Sequence, residues 1–175
     1  LNVGLAGNIG VSFASSVCDY SYDYYVLEVS SFQLDHSITF KPNISVITNI
    51  SPDHLDRYDE DFDLYTLSKY SIVKNQKPND FFVYNNDCNV TKKIFSRVQI
   101  KSKSISFSTK QNSGFKHSIY TNNNNIISSI NKKKFMLSTD KIQIKGIHNI
   151  QNSMAAISVA QILKISNQKI KESLK

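Results

Sequence analysis

No apolar run in this 175-residue chain approaches the roughly 20 residues that a membrane-spanning helix needs. The first residues also lack the basic start and apolar stretch of a secretory signal. Cysteine is scarce. Cys18 and Cys88 stand in no C-x-x-C or similar spacing, which argues against a cysteine-ligated metal and leaves two reduced thiols in a cytoplasmic protein as the expectation. Arginine is scarce too, with Arg57 and Arg97 alone among 21 basic residues. A net charge of +7 invites a nucleic-acid reading, but arginine dominates base-edge readout, and the joint abundance of Lys, Asn and Ile reads as compositional drift. The charge is also uneven: residues 1–60 set Lys41 and Arg57 against eight acids. Internal repeats and a disordered linker are absent. What remains is ordinary globular composition, 40% hydrophobic and 20% charged, in a chain long enough for one domain with a core.

Strand and helix signals alternate along that chain. Val3-Gly-Leu-Ala-Gly-Asn-Ile-Gly10 puts three glycines around Asn8. It reads either as a strand-to-helix turn or as a place where backbone approaches a ligand closely. A helix is expected over 11–18. Tyr24–Val29 reads as a buried strand that ends in a carboxylate, Glu28, and a short helix or turn follows over 32–39. Ile44–Ile50 is β-branched and suits the middle of a parallel sheet. Ser51-Pro52 could cap and open a helix with His54 in its first turn. The pattern predicts a helix over 61–75, a strand over 80–85, a helix over 88–97 and a strand over 104–108. From about residue 110 the texture becomes an antiparallel meander: strands at 117–121, 126–130, 135–137 and 141–145, with turns at 122–125 and 131–134. A helix then begins near Gly146, with His148 or Asn149 as its cap, and another begins near Ile165. The fold class expected is α/β, a mostly parallel sheet flanked by helices, with a small antiparallel meander attached.

Several side chains stand where chemistry would be done. Glu28 ends an apolar strand, and a charge there is costly unless something pairs with it. The carboxyl ends of parallel strands are also where α/β proteins bind ligands. His54 occupies the equivalent place after the next strand; it is either a structural turn histidine or a functional one. Lys69, on a helix, reads from pattern alone as a solvated surface residue. Asn149 and Asn152 lie three apart near a helix amino end, where polar or anionic groups are received; capping explains one of them and leaves the other over.

Four stretches together resemble the central domain of the Mur ligases: Gly7-Asn-Ile-Gly10, Leu27-Glu-Val-Ser-Ser-Phe-Gln-Leu34, Thr48-Asn-Ile-Ser-Pro-Asp-His-Leu-Asp-Arg-Tyr58 and Gly146-Ile-His-Asn-Ile-Gln-Asn152. The resemblance runs through the whole chain, meander included. It implies a P-loop-type, ATP-dependent acid–amino-acid ligase of peptidoglycan synthesis. Within the family, S-S-F-Q-L after the glutamate favours the branch that joins D-glutamate to UDP-N-acetylmuramoyl-L-alanine through an acyl phosphate. The resemblance further implies that Glu28 binds Mg2+ and that His54 stands at a second Mg2+. It makes Lys69 a lysine carbamylated into a carboxylate-like ligand, a reaction of the uncharged amine. Asn8, Ser30 and Gln33 become substrate contacts, and Asn149 and Asn152 flank the ATP adenine. A cytoplasmic monomer is expected, with no nucleic-acid or membrane partner.

The chain opens at Leu1 without Met, and no G-x-x-G-K-[ST] loop is present. Residues 1–175 therefore read as a central domain incomplete at both ends, without the amino-terminal UDP-binding and carboxyl-terminal glutamate-binding domains. Two other readings remain. One is a sibling Mur ligase or a folylpolyglutamate synthetase-like ligase. The other is a basic α/β nucleic-acid-binding module, whose binding would be salt-sensitive and indifferent to Glu28 or Asn149. The resemblance yields a direct expectation: these 175 residues alone show no ligation or ATP turnover in an isotopic assay, and appreciable turnover would contradict it.

Overall fold

The computed structural model describes residues 1–111, 117–128, 130 and 134–175. Its order is β1 (Val3–Gly7), α1 (Phe13–Asp19), β2 (Tyr24–Glu28), α2 (Ser31–Asp35), β3 (Ile44–Ile47), α3 (Phe62–Tyr70), β4 (Phe81–Asn85), α4 (Asn89–Ile94), β5 (Lys103–Ser108), β6 (Ser118–Asn122), β7 (Asn125–Ser128), β8 (Phe135–Ser138), α5 (Ile147–Ile162) and α6 (Asn167–Ser173). Short 3-10 turns lie at Leu55–Arg57, Ser71–Val73 and Thr139–Lys141.

Six strands form one sheet in the order β3-β4-β5-β6-β7-β8. The first four run parallel and the last three antiparallel, so the α/β expectation with an attached meander holds. The β6–β7 turn is made by Asn123 and Asn124, both left-handed at φ 45° and 54°, the conformation a two-residue hairpin needs and asparagine tolerates. The strand expected at 141–145 does not form. Ile142 is buried and Ile144 is half exposed. The Gln143 amide donates to the Leu174 carbonyl at 3.0 Å, so this backbone is spent on the end of α6. The expected turn at 131–134 lies mostly outside the described residues, as does part of the strand expected to reach 130.

Alternation along the strands fills two cores. On β4, Phe82 and Tyr84 face one side and Val83 the other. The first side is an aromatic layer under α3 and α4. In it Phe82, fully buried, has Tyr70, Tyr84 and Phe95 ring centroids at 5.9, 5.5 and 6.2 Å. Burying such a ring contributes about 1.5–3 kcal/mol. The second side joins Ile105, Phe107 and Ile119 to Met154 and Ile157 of α5 and Ile170 of α6. Within the first layer Gln76 is a buried polar hub: its carbonyl oxygen accepts from Ser45 and Ser102, and its amide donates to the Pro42 and Phe81 carbonyls.

β1 and β2 stand apart from this sheet as a parallel pair of their own. The reading of Tyr24–Val29 as a buried strand is corrected here. Its residues alternate between exposed and half-buried, with Val26 54% exposed and Leu5 on β1 72%. Only one face of the pair is packed. There α1 contributes Phe13, edge-on to Tyr25 at 5.3 Å.

Two ionised carboxylates bracket β4. Before it, Asp80 accepts from the Lys77 amide at 2.7 Å and from Lys41 Nζ at 3.2 Å. After it, Asp87 accepts from Ser108 Oγ at 2.6 Å and from the Thr109 amide and hydroxyl at 2.7 Å each, tying β4 to β5. Burial pushes both carboxyls up, but these hydrogen bonds, with the charges of Lys41 and Lys110, outweigh it and hold both below the usual carboxylate range. A depressed folded pKa stabilises above the unfolded value of about 3.9 and is lost as pH falls through the lower folded values. The urea midpoint is therefore expected to fall between pH 5 and pH 3, with Asp87→Asn losing stability at neutral pH and showing a weaker acid dependence. An acid limb as steep in Asp87→Asn as in wild type would contradict this.

Candidate functional site

Three segments at the carboxyl ends of strands carry most of the residues singled out from sequence. The first is the β1–β2 pair. Gly7 pairs with Glu28 at its end, and the chain then turns so that the Asn8 amide donates to the Glu28 carbonyl at 2.8 Å. Asn8 Nδ2 also reaches Glu28 Oε1 at 3.3 Å. Gly7 sits at φ 122°, and a Cβ there would collide with the Glu28 carbonyl oxygen. This is the close backbone approach that the glycine-rich stretch allowed for. Glu28 is exposed. It is thus not a buried charge in search of a partner: one oxygen is oriented by Asn8 and the carboxylate is open to water.

The second segment is α2. Ser30 and Gln33 form a capping box: Ser30 Oγ accepts from the Gln33 amide at 3.3 Å, and Gln33 Oε1 accepts from the Ser30 amide at 2.9 Å. The S-x-x-Q spacing announces this device, yet the sequence reading assigned both residues to substrate alone. Their hydroxyl and amide now hold the turn that immediately follows Glu28.

The third segment joins β3 to α3. The expected helix opening at Pro52 does not occur. His54 instead adopts a left-handed conformation, φ 50° and ψ 32°, ahead of the 3-10 turn Leu55–Arg57. Leu55 and Tyr58, one such turn apart, pack into the aromatic core and impose the tighter geometry. A left-handed histidine costs about 1–3 kcal/mol, and it is held by the Arg57 amide donating to the His54 carbonyl at 3.1 Å and by Phe32, whose ring is 5.2 Å from the imidazole. His54 Nε2 lies 3.5 Å from Asp53 Oδ2. On α3, Lys69 is half-buried, with Nζ 5.3 Å above the Tyr65 ring.

Asn149 and Asn152 lie in the first turns of α5, as expected, but neither His148 nor Asn149 is the cap. Gly146, at φ 103°, is the N-cap, because that backbone conformation suits glycine alone. Asn149 Nδ2 donates back to the Lys145 carbonyl at 2.8 Å, and Asn152 is exposed.

The structure therefore brings Asn8 onto Glu28, and His54 onto the ring that follows Glu28 by four residues. Among the described residues no three His, Cys, Asp or Glu side chains gather to hold a metal. Glu28 offers a carboxylate and His54 an imidazole, each exposed. Oxygen and imidazole nitrogen, exposed to water and without thiolate, suit a hard divalent cation that keeps part of its hydration.

Comparison with known proteins gives a consistent picture. The family described as Mur ligase middle domain matches residues 4–160. The UDP-N-acetylmuramoylalanine--D-glutamate ligase of Christiangramia forsetii is 42% identical over 175 residues, covering 99% of this chain and 39% of that relative. The enzyme of the same name from Chloroherpeton thalassium is 37% identical, covering 96% and 38%. The chain thus spans about two fifths of the length of the curated relatives it matches. Among solved structures, MurF from Acinetobacter baumannii superimposes with a TM-score of 0.66 at 15% identity, over 98% of this chain and 45% of that one. A UDP-N-acetylmuramate:L-alanyl-gamma-D-glutamyl-meso-diaminopimelate ligase from Neisseria meningitides gives 0.65 at 16%, over 89% and 48%; at such identities the likeness is one of fold.

Gly7 offers a test of the Asn8–Glu28 geometry. Gly7→Ala is expected to cost about 1–3 kcal/mol from backbone strain and to move or broaden the amide resonances of Asn8 and Glu28. Unchanged resonances and unchanged Asn8 amide exchange would contradict the close approach.

Proposed function

Because this chain belongs to the Mur ligase family, matching its middle domain over residues 4–160, we propose that it is the ATP-binding part of a ligase that joins D-glutamate to UDP-N-acetylmuramoyl-L-alanine. The observation that carries the reading is the near end-to-end likeness, at 42% identity, to a relative of that name. It is joined to a geometry in which Asn8 orients Glu28 at the carboxyl end of a parallel strand pair. In the reaction a substrate carboxylate takes the γ-phosphoryl group of ATP, and the acyl phosphate is then attacked by the amine of D-glutamate to give an amide, ADP and phosphate.

Mg2+ fits the donors present. Glu28 would hold one ion, and His54, with Lys69 once carbamylated into a carboxylate-like donor, would hold a second. When bound, Mg2+ supplies charge neutralisation at the phosphate oxygens. The remaining work belongs to this chain's own side chains. Asn8 fixes the orientation of the Glu28 carboxylate from one side. The Ser30–Gln33 box rigidifies the turn beyond it and presents α2 at constant register. The left-handed backbone of His54 leaves its imidazole edge-on to Phe32. Asn149 and Asn152, on the first turns of α5, present amide groups that can both donate and accept, as recognition of an adenine edge requires.

The test is ligation by the full-length protein containing this chain, with ATP, UDP-N-acetylmuramoyl-L-alanine and an amino acid. D-Glutamate is expected to be incorporated, with L-lysine and diaminopimelate excluded, and Glu28→Gln to lower kcat by roughly a hundredfold. Incorporation of another amino acid would reassign the enzyme within the family. Wild-type rates in Glu28→Gln would overturn the role given to that carboxylate.

A further inference from the structure

One buried tyrosine, in the turn that carries His54, touches both α3, which carries Lys69, and α2, which begins three residues after Glu28. Tyr58 is 9% exposed. Its hydroxyl donates to Asp35 Oδ2, at the end of α2, at 2.7 Å, and lies 3.2 Å from Ser68 Oγ on α3. Ser68 Oγ in turn donates to the Ser31 carbonyl at the start of α2, at 3.1 Å. Ser68 is the neighbour of Lys69, Ser31 follows Glu28 by three residues, and Tyr58 follows His54 by four. The rings repeat the same path. His54 meets the edge of Phe32, Phe32 stacks on Tyr58 at 6.3 Å, Tyr58 meets Tyr65 at 5.4 Å, and Lys69 lies over Tyr65.

Asp35 makes this more than core packing. A carboxylate in the last turn of a helix opposes the helix dipole, so its place at the end of α2 gains nothing locally and is explained by the hydroxyl it accepts from. The charge-assisted bond it forms is of the stronger kind.

Resting on the function proposed above, we infer that Tyr58, with Asp35 and Ser68, is a positioning residue. It locks α2, the His54 turn and α3 together so that Glu28, His54 and Lys69 keep one mutual arrangement. It contacts no reacting atom itself. Residues hydrogen-bonded to metal ligands typically change metal affinity or activity about 10–100-fold when removed, and Tyr58, one contact further out, is placed at the lower end.

The test uses the full-length protein and reads Mn2+ binding in the presence of ADP by electron paramagnetic resonance, which needs no turnover, alongside ligation kinetics. Tyr58→Phe keeps the ring and removes the hydroxyl. It is expected to weaken Mn2+ binding about tenfold and lower kcat, while KM for D-glutamate stays within about twofold. Asp35→Ala is expected to reproduce these losses, and Asp35→Asn, which retains an acceptor, to restore most of them. Should Tyr58→Phe fail to fold, the exposed substitution Asp35→Ala carries the same reading. Mn2+ affinity and kcat at wild-type levels in Tyr58→Phe and Asp35→Ala, or a fall in thermal stability alone, would overturn the inference. A wild-type protein that binds Mn2+ but forms no amide would instead overturn the proposed function, and the Mn2+ comparison between variants would still decide the role of Tyr58.

Discussion

β4 is the fixed point of this molecule. It is buried over Phe82–Asn85, packed on both faces by different cores and pinned before and after by an ionised aspartate. Parallel neighbours on each side take their register from it. The aromatic layer on one face then carries α3 through Tyr65 and Tyr70, and with it Lys69. It also draws in Leu55 and Tyr58, which bend the chain after β3 and leave His54 in its left-handed conformation. The position of the candidate site thus follows from how β4 turns Phe82 and Tyr84 to one side, with Phe81 and Val83 on the other.

The β1–β2 pair obeys a different constraint. It lacks a two-sided core, and the end that carries Glu28 is shaped by backbone contact: Gly7 against Glu28, and the Asn8 amide on the Glu28 carbonyl. An exposed carboxylate with one oxygen oriented is poorly suited to a dry ion pair. It is well suited to a hydrated hard cation, which exchanges water for carboxylate oxygen without the large desolvation penalty of a buried charge. The site therefore combines a water-accessible half on β2 with a rigid half on the aromatic layer, and the Tyr58 hydroxyl ties that layer to α2, the helix that follows β2.

Much of this was legible in the residues. The β-branched strand 44–47, the strand 103–108, the asparagine turn at 123–124 and the long helix from Gly146 all follow local rules that tertiary structure did not override. Where local rules failed, a longer-range contact had won. Pro52 was a sound helix opener until Leu55 and Tyr58 were claimed by the core, and the Ile142–Ile144 alternation was a sound strand until its backbone met α6. The Ser30–Gln33 capping box had a readable signature that the substrate assignment obscured. The Gln76 hub and the Tyr58–Asp35–Ser68 link join residues far apart in the chain, and no periodicity or spacing announces them. The candidate residues themselves became visible through motif rather than pattern, Lys69 most of all: nothing about a lysine on a helix marks it as a candidate until the D-H-x-D-R-Y motif ahead of it is recognised.

The proposed function rests on divalent cations held by Glu28 on β2 and by the His54 turn. Anomalous diffraction at the manganese edge, from crystals of the full-length protein grown with ADP and Mn2+, measures this directly. The account expects manganese peaks within coordination distance of the Glu28 carboxylate and the His54 imidazole, with density for an extended, carboxylated side chain at Lys69. A nucleotide-bound manganese with neither Glu28 nor His54 in its coordination sphere would contradict it.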